Sequence, residues 1–179
     1  EGAFYGPKID LHVKDAIGRR WQLSTIQVDF AQPDNFDLQF VDSNNKRVKP
    51  VMIHRALLGS IERFTGILIE NYAGEFPGWL SPVQVKVLTI GDVSNYLNKL
   101  TKSLKGFRYE VDDRNLRLGE KLHDASKEKV PITIIVGEKD ELSNTLAINI
   151  RSQDNQQNVK YEDAVKQIKA NLKTPVFKI

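Results

Sequence analysis

The segment 131–136 (PITIIV) limits what this chain can become more than any other. Its apolar residues continue without the polar alternation of a surface strand, the pattern of a strand covered on both faces. Such a strand needs helices on each side, and the neighbouring sequence supplies them. Residues 83–90 form another apolar, β-rich run. Val93, Tyr96, Leu97, Leu100 and Leu104 then lie along a helical stripe that Gly106 ends. Residues 109–112 are a short strand candidate, and Leu118, Leu122 and Ala125 mark a second helix. Residues 146–150 alternate, and Ala164, Ile168 and Leu172 lie along a last helix. Strands alternating with helices predict an α/β domain with a mixed, largely parallel sheet over 81–179.

Before residue 80 the period is different. In 8–14 (KIDLHVK) apolar residues fall at every second position, as in a half-buried strand. Residues 20–30 read as a second strand, and 15–19 (DAIGR) suit a hairpin connection. Residues 37–41 and 48–53 are further strand candidates across the turn-rich stretch 42–45 (DSNN). A helix is expected over 55–72, with Leu57, Ile61, Phe64, Leu68 and Tyr72 on one stripe. Consecutive antiparallel strands ending in a helix indicate an α+β arrangement over 1–80, and the Gly- and Pro-dense stretch 74–82 (GEFPGWLSP) reads as the connection.

Composition excludes some chemistry and suggests little. The chain has no cysteine, so disulfides and thiolate metal sites are absent from this sequence. A formal charge of +3 and a pI near 9.0 suit a polyanionic partner, and suit an evenly basic surface equally well. No apolar run approaches the roughly 20 residues that span a bilayer. Residue 1 is Glu, with no charged-then-apolar signal segment after it, so the chain reads as part of a longer protein, and the absence of cysteine fits a cytoplasmic one.

Opposite the apolar stripe of the expected 55–72 helix stand Gly59, Arg63, Gly66 and Glu70. Each mid-helix glycine costs about 1 kcal/mol relative to alanine. Two on one face would let something flat approach the backbone, with Arg63 between them to stack on a base or reach phosphate oxygens. Close packing against another element, with Arg63 in solvent, fits the spacing better.

Longer stretches carry a resemblance. The run 54–64 (HRALLGSIERF) resembles motif 3 of the class II aminoacyl-tRNA synthetases in its threonyl version. The opening 1–10 (EGAFYGPKID) is similar to the strand after motif 2, and 21–30 (WQLSTIQVDF) to the next catalytic strand. PGWLSPVQV and RNLRLGEKL, at 77–85 and 114–122, resemble the anticodon-binding domain shared by threonyl, prolyl, histidyl and glycyl enzymes.

The resemblance implies roles at matching positions. Arg63 would bind ATP and stabilise charge during adenylate formation. Lys8 and Gln27 would act with it in catalysis, and Tyr5 and Gln27 would surround the amino acid. Gln22 and Ser60 would lie near the adenosine. His54 matches one of three zinc ligands; alone, it reads as an ordinary strand-end histidine. The resemblance implies Zn2+, Mg2+ with ATP, and threonine and its tRNA as substrates. It also implies a homodimer built by motif 1, which lies outside this sequence together with the motif 2 arginine, so the chain alone is expected to be inactive. Anticodon contacts map to Asn115, Arg117, Lys129 and Asp140. Two positions depart from the pattern. Asn149 stands where bacterial threonyl enzymes commonly have arginine, with Arg151 on the same strand face as its possible substitute. Leu23 stands where many relatives have cysteine. The competing reading is a non-catalytic regulatory or RNA-binding protein that reuses synthetase domains. Intact Lys8, Gln27, His54 and Arg63 count against it, and His54 favours threonine over a sister synthetase.

Overall fold

Pairing of residues 8–14 with 20–27 closes the hairpin that the alternation predicts, and the first part of the chain is built on it. In the computed structural model, which describes residues 2–176, the chain divides into two units, Glu1–Ala73 and Gly74–Ile179. The first contains β1 (Gly2–Ala3), β2 (Gly6–Lys14), β3 (Arg20–Asp29), α1 (Ala31–Asn35), β4 (Phe40–Val41), β5 (Arg47–Val48), β6 (Met52–Ala56) and α2 (Ile61–Tyr72). An antiparallel sheet runs in the order β1-β2-β3-β6, and β4 and β5 pair separately. Asp15 shapes the hairpin end. Its Oδ1 accepts from the backbone N–H groups of Ile17 and Arg19 at 3.1 and 2.8 Å.

Three expectations about this unit need correction. The strand expected over 37–41 is reduced to Phe40–Val41, because the chain is still turning at Asp37, which has φ +47°. The strand expected over 48–53 is split, because Pro50 has no N–H to give a ladder and pairing resumes only at Met52. The helix expected from residue 55 starts at Ile61. Arg55 and Ala56 instead pair with Ile26 and Thr25, and Gly59 has φ +67°, outside the right-handed helix. A Cβ at Gly59 would stand 3.2 Å from the Leu23 carbonyl oxygen, so this glycine lets the loop lie close on β3. Gly59 and Gly66 therefore do not form one helical face. Ser60 caps α2 by accepting from the Arg63 N–H at 3.1 Å. The helix buries Ile67, with Phe64, Leu68 and Tyr72 half-buried beside it, while Ile61 is exposed.

The second unit contains β7 (Val85–Ile90), α3 (Ser94–Ser103), β8 (Tyr109–Asp112), α4 (Leu118–Lys127), β9 (Ile132–Gly137), α5 (Glu138–Ser143), β10 (Thr145–Ile150), β11 (Gln156–Lys160) and α6 (Tyr161–Leu172). The sheet order is β11-β10-β9-β7-β8. Strand β7 is parallel to both β8 and β9, whereas β10 is antiparallel to β9 and β11. The sheet is thus mixed, with a parallel half and an antiparallel half. Central β9 is buried along nearly its whole length, as its apolar run requires. Val87, Ile134 and Ile148 project to one face and pack with Leu100 of α3 and Ile168 of α6. Alternation sends Thr133 and Asn149 to the other face, towards α4. The stretch 74–82 is held to this unit: Gln84 donates to the Gly78 carbonyl at 2.7 Å, and the Arg108 guanidinium donates to the carbonyls of Trp79, Ser81 and Pro82. No helix among the described residues is long and apolar enough to cross a membrane.

Candidate functional site

Strand register aligns three expected site residues. Lys8 on β2 faces Gln27 on β3, and Gln27 faces His54 on β6, so the three form a row across the sheet. Asp10 and Thr25 occupy the next row. Asp10 draws the group together, accepting from Lys8 Nζ at 2.9 Å, Thr25 Oγ1 at 2.6 Å and Gln22 Nε2 at 2.7 Å. The Thr25 hydroxyl and the Lys8 ammonium hold its carboxyl below the ordinary range, against a smaller upward push from burial.

At the end of the row His54 meets a second carboxylate. Its Nε2 lies 2.9 Å from Oδ2 of Asp29, which is only 2% exposed. Oδ1 of Asp29 accepts from the Ala31 and Gln32 N–H groups, both at 2.9 Å. The Gln32 N–H lowers the Asp29 carboxyl most; burial opposes it, and His54 and Ala31 add to the lowering. A histidine braced by a carboxylate at one nitrogen offers the other to a metal. His54 fits one ligand position in that way, but among the described residues no group of three His, Cys, Asp or Glu could complete a metal centre.

Arg63 stands apart from that row, in the first turn of α2, with its guanidinium 5.5 Å from the Trp21 ring centroid. The Ser60 hydroxyl is occupied in capping the same turn. Tyr5 makes an edge-on contact with Phe4 at 5.0 Å and accepts the Phe30 N–H at its carbonyl. Leu23 is buried, a core residue beside the site.

In the second unit the expected contacts fall into three places. Asn115 lines a cavity of about 540 Å³ at the C-terminal ends of β7 and β8, with Thr89, Asp92, Leu118 and Lys121. Arg117, exposed, precedes α4, and its N–H donates to Glu120 at 3.0 Å. Lys129, Asn149 and Arg151 line a separate cavity of about 360 Å³ with Thr133. There the Arg151 guanidinium donates to the Lys129 carbonyl at 3.0 Å and to the Phe76 carbonyl. Asp140 lies within α5, where its carboxylate accepts the Gly137 N–H at 2.9 Å.

Three organising residues escape the sequence reading. Asp10 and Asp29 look like ordinary polar positions of alternating strands, and only their register with Lys8 and His54 could have drawn attention to them. Arg114 is the third. It reaches Asp112 at 2.6 Å and Asp124 at 2.8 Å, fixing the turn that presents Asn115. The Arg114 guanidinium lowers the Asp112 carboxyl to about 2, overriding the upward push of burial.

Comparison with known proteins agrees with this division. Residues 1–72 match the tRNA synthetase class II core domain (G, H, P, S and T), and residues 84–171 match the anticodon binding domain. A threonine–tRNA ligase of Clostridium tetani is 53% identical over 156 residues, covering 86% of this chain and 24% of that protein. One from Clostridium botulinum (strain Okra / Type B1) is 46% identical over 176 residues, 97% of this chain and 28% of its own. The chain thus spans about a quarter of the length of these relatives. The crystal structure of the RNA binding domain of threonyl-tRNA synthetase from Cryptosporidium parvum Iowa II superposes with a TM-score of 0.81 at 30% identity, covering 96% of this chain and 44% of that one.

Proposed function

The chain belongs to the class II tRNA synthetases, joining part of their core to an anticodon-binding domain, and from that premise we propose that it serves the ATP-dependent ligation of threonine to its cognate tRNA. It would supply part of the active site and the domain that reads the anticodon. The row Lys8–Gln27–His54, ordered by Asp10 and Asp29, is the observation that carries the reading.

In the first step the threonine carboxylate attacks the α-phosphorus of ATP, and pyrophosphate leaves with the bond's electron pair. In the second, a ribose hydroxyl of the tRNA terminus attacks the adenylate carbonyl and AMP leaves. Neither step needs a protein nucleophile; positioning and charge do the work. Lys8, held at Asp10, would place positive charge beside the activated carboxylate. Gln27 would orient the amino acid with Tyr5, and Arg63 would bind the nucleotide with Gln22 and Ser60 nearby. Mg2+ would accompany ATP.

Zinc fits this reading through His54, with further ligands drawn from beyond the residues described. Bound there, it would supply a Lewis-acid position for the amino and hydroxyl groups of threonine. Valine is nearly isosteric but lacks the hydroxyl, and an apolar pocket alone separates such pairs poorly.

Asn115, Arg117, Lys129, Asp140, Asn149 and Arg151 are the proposed anticodon contacts. Amide and charged groups of this kind read unstacked base edges in RNA loops. The complete enzyme is proposed to be a cytoplasmic homodimer, and this chain alone to be inactive.

The test is binding of this chain to a threonine tRNA anticodon stem-loop, beside the same loop with its central G replaced, at fixed salt. Weaker binding of the altered loop is expected. Equal binding of both, falling steeply with salt, would reduce the second unit to a phosphate binder and sink the reading.

A further inference from the structure

Trp21 is none of the residues assigned above, yet a buried carboxylate and two cations are arranged around it. Its indole N–H donates to Oδ2 of Asp15 at 2.8 Å. The Asp15 side chain is fully buried; the same oxygen accepts from Arg19 Nε at 2.5 Å, and Oδ1 from two backbone N–H groups. With its polar edge tied to the hairpin end, the indole cannot turn without leaving a buried acceptor short of a donor.

The Arg63 guanidinium lies over this ring at 5.5 Å from the centroid, within the range where an aromatic face attracts a cation. Among the described residues no carboxylate forms an ion pair with Arg63. Arg19, also 5.5 Å from the Trp21 centroid, donates through Nη2 to Glu70 at 3.1 Å. Glu70 is seven residues beyond Arg63 on α2, about two turns along the same side. Gly59 adds a third constraint, since its lack of a side chain lets the loop before α2 lie against Leu23, two residues from Trp21. The hairpin end therefore holds α2 at its start, at Arg63 and at Glu70.

We propose that Trp21, held by Asp15, is a positioning residue for Arg63, resting one face of the guanidinium on the indole so that the other is presented to the purine ring of the nucleotide. This rests on the reading of Arg63 as nucleotide-binding. A guanidinium is planar and has two faces to offer. Unsupported at the surface, it would have to be ordered on each binding event; supported, it meets the nucleotide already placed. Trp21 itself touches no reacting atom.

The test uses a full-length threonine–tRNA ligase with this segment in place, in amino-acid-dependent ATP–pyrophosphate exchange. Trp21→Leu is expected to raise the KM for ATP about tenfold, and Trp21→Phe, which keeps an aromatic face, less than about threefold. The KM for threonine should stay within about twofold in both, because the amino acid does not meet Arg63 through this ring. Asp15→Asn, which keeps volume and loosens the hold on the indole, should also raise the ATP KM, and serves if Trp21→Leu does not fold. An unchanged ATP KM in both Trp21→Leu and Asp15→Asn overturns the role. So does a joint rise for ATP and threonine, or Trp21→Phe as impaired as Trp21→Leu. Absence of exchange with any amino acid in the unaltered enzyme would remove the ligase reading itself and this role with it.

Discussion

His54 Nε2 stands 2.9 Å from Asp29 Oδ2, and the other oxygen of that carboxylate is held by the first backbone N–H groups of α1. The ring is thereby fixed by a group that is itself fixed. If His54 is a zinc ligand, Asp29→Ala should weaken retention of Zn2+ by about 10–100-fold in the full-length protein, the usual consequence of losing such a brace. Competition with a chromophoric chelator reads this directly. Affinity equal to that of the unaltered protein would mean that the pair is only structural.

The two glycines at 59 and 66 should respond in opposite directions. Gly59 has φ +67° and a neighbouring carbonyl 3.2 Å from any added Cβ. Gly59→Ala should cost about 1–2 kcal/mol for the left-handed backbone alone. Gly66 lies within α2 with nothing within 4 Å of an added Cβ. Gly66→Ala should therefore stabilise by up to about 1 kcal/mol. Urea unfolding followed by Trp21 fluorescence in a Trp79→Phe background reports on the first unit alone, and like signs for both variants would refute the contrast.

That contrast also shows what the sequence could tell. The stripe from Phe64 to Tyr72 is real, and the helix was readable from it. Its start was not, because the 3- and 4-residue steps back through Ile61 and Leu57 continue into a loop and a strand. Only register with β3 and the backbone sign at Gly59 separate them. Central β9 was the opposite case, since burial on both faces leaves a signal that needs no partner to interpret. Helix α5 buries no residue and so has no apolar stripe to announce it. Strand β11 is likewise polar and an edge. In the candidate site, the side chains proposed to meet ligands were named by resemblance. Asp10, Asp29 and Arg114, which hold such side chains, act through distances that no linear spacing encodes.

Acid should unfold the chain over a defined window. Asp112 is lowered to about 2 by Arg114, with backbone donation and nearby charge helping and burial opposing. Burial would raise Asp15, but donors from Trp21, Arg19 and Ile17 outweigh it and bring that carboxyl to about 2 as well. A carboxyl whose folded value is depressed stabilises fully above its ordinary 3.8, and that contribution is lost as pH falls towards and through 2. Asp112→Asn should flatten the stability of the second unit between about pH 4 and 2. Trp79 fluorescence in a Trp21→Phe background is the measurement, and a slope equal to the parent's would show that Arg114 does not govern it.

Lys121 offers a final test, because it links core and candidate interface. It is 2% exposed, and its ammonium donates to the Thr89 carbonyl at 2.8 Å and the Asp112 carbonyl at 3.0 Å. These are the C-terminal ends of neighbouring strands β7 and β8, from which the chain enters the walls of the Asn115 cavity. Lys121→Met keeps the length and apolar stem while removing the ammonium donor from both carbonyls and leaving Asp112 only the Thr89 hydroxyl at 3.3 Å. The expected loss is about 1–3 kcal/mol. Binding of the anticodon stem-loop should fall as well, since one tie between the two strand ends is then lost and Asn115 can shift. Asn115→Ala should reduce binding without loss of stability, because Asn115 is exposed. Together the variants separate support from contact. If Lys121→Met unfolds earlier but binds the loop undiminished, the cavity at these strand ends is not where the anticodon is read.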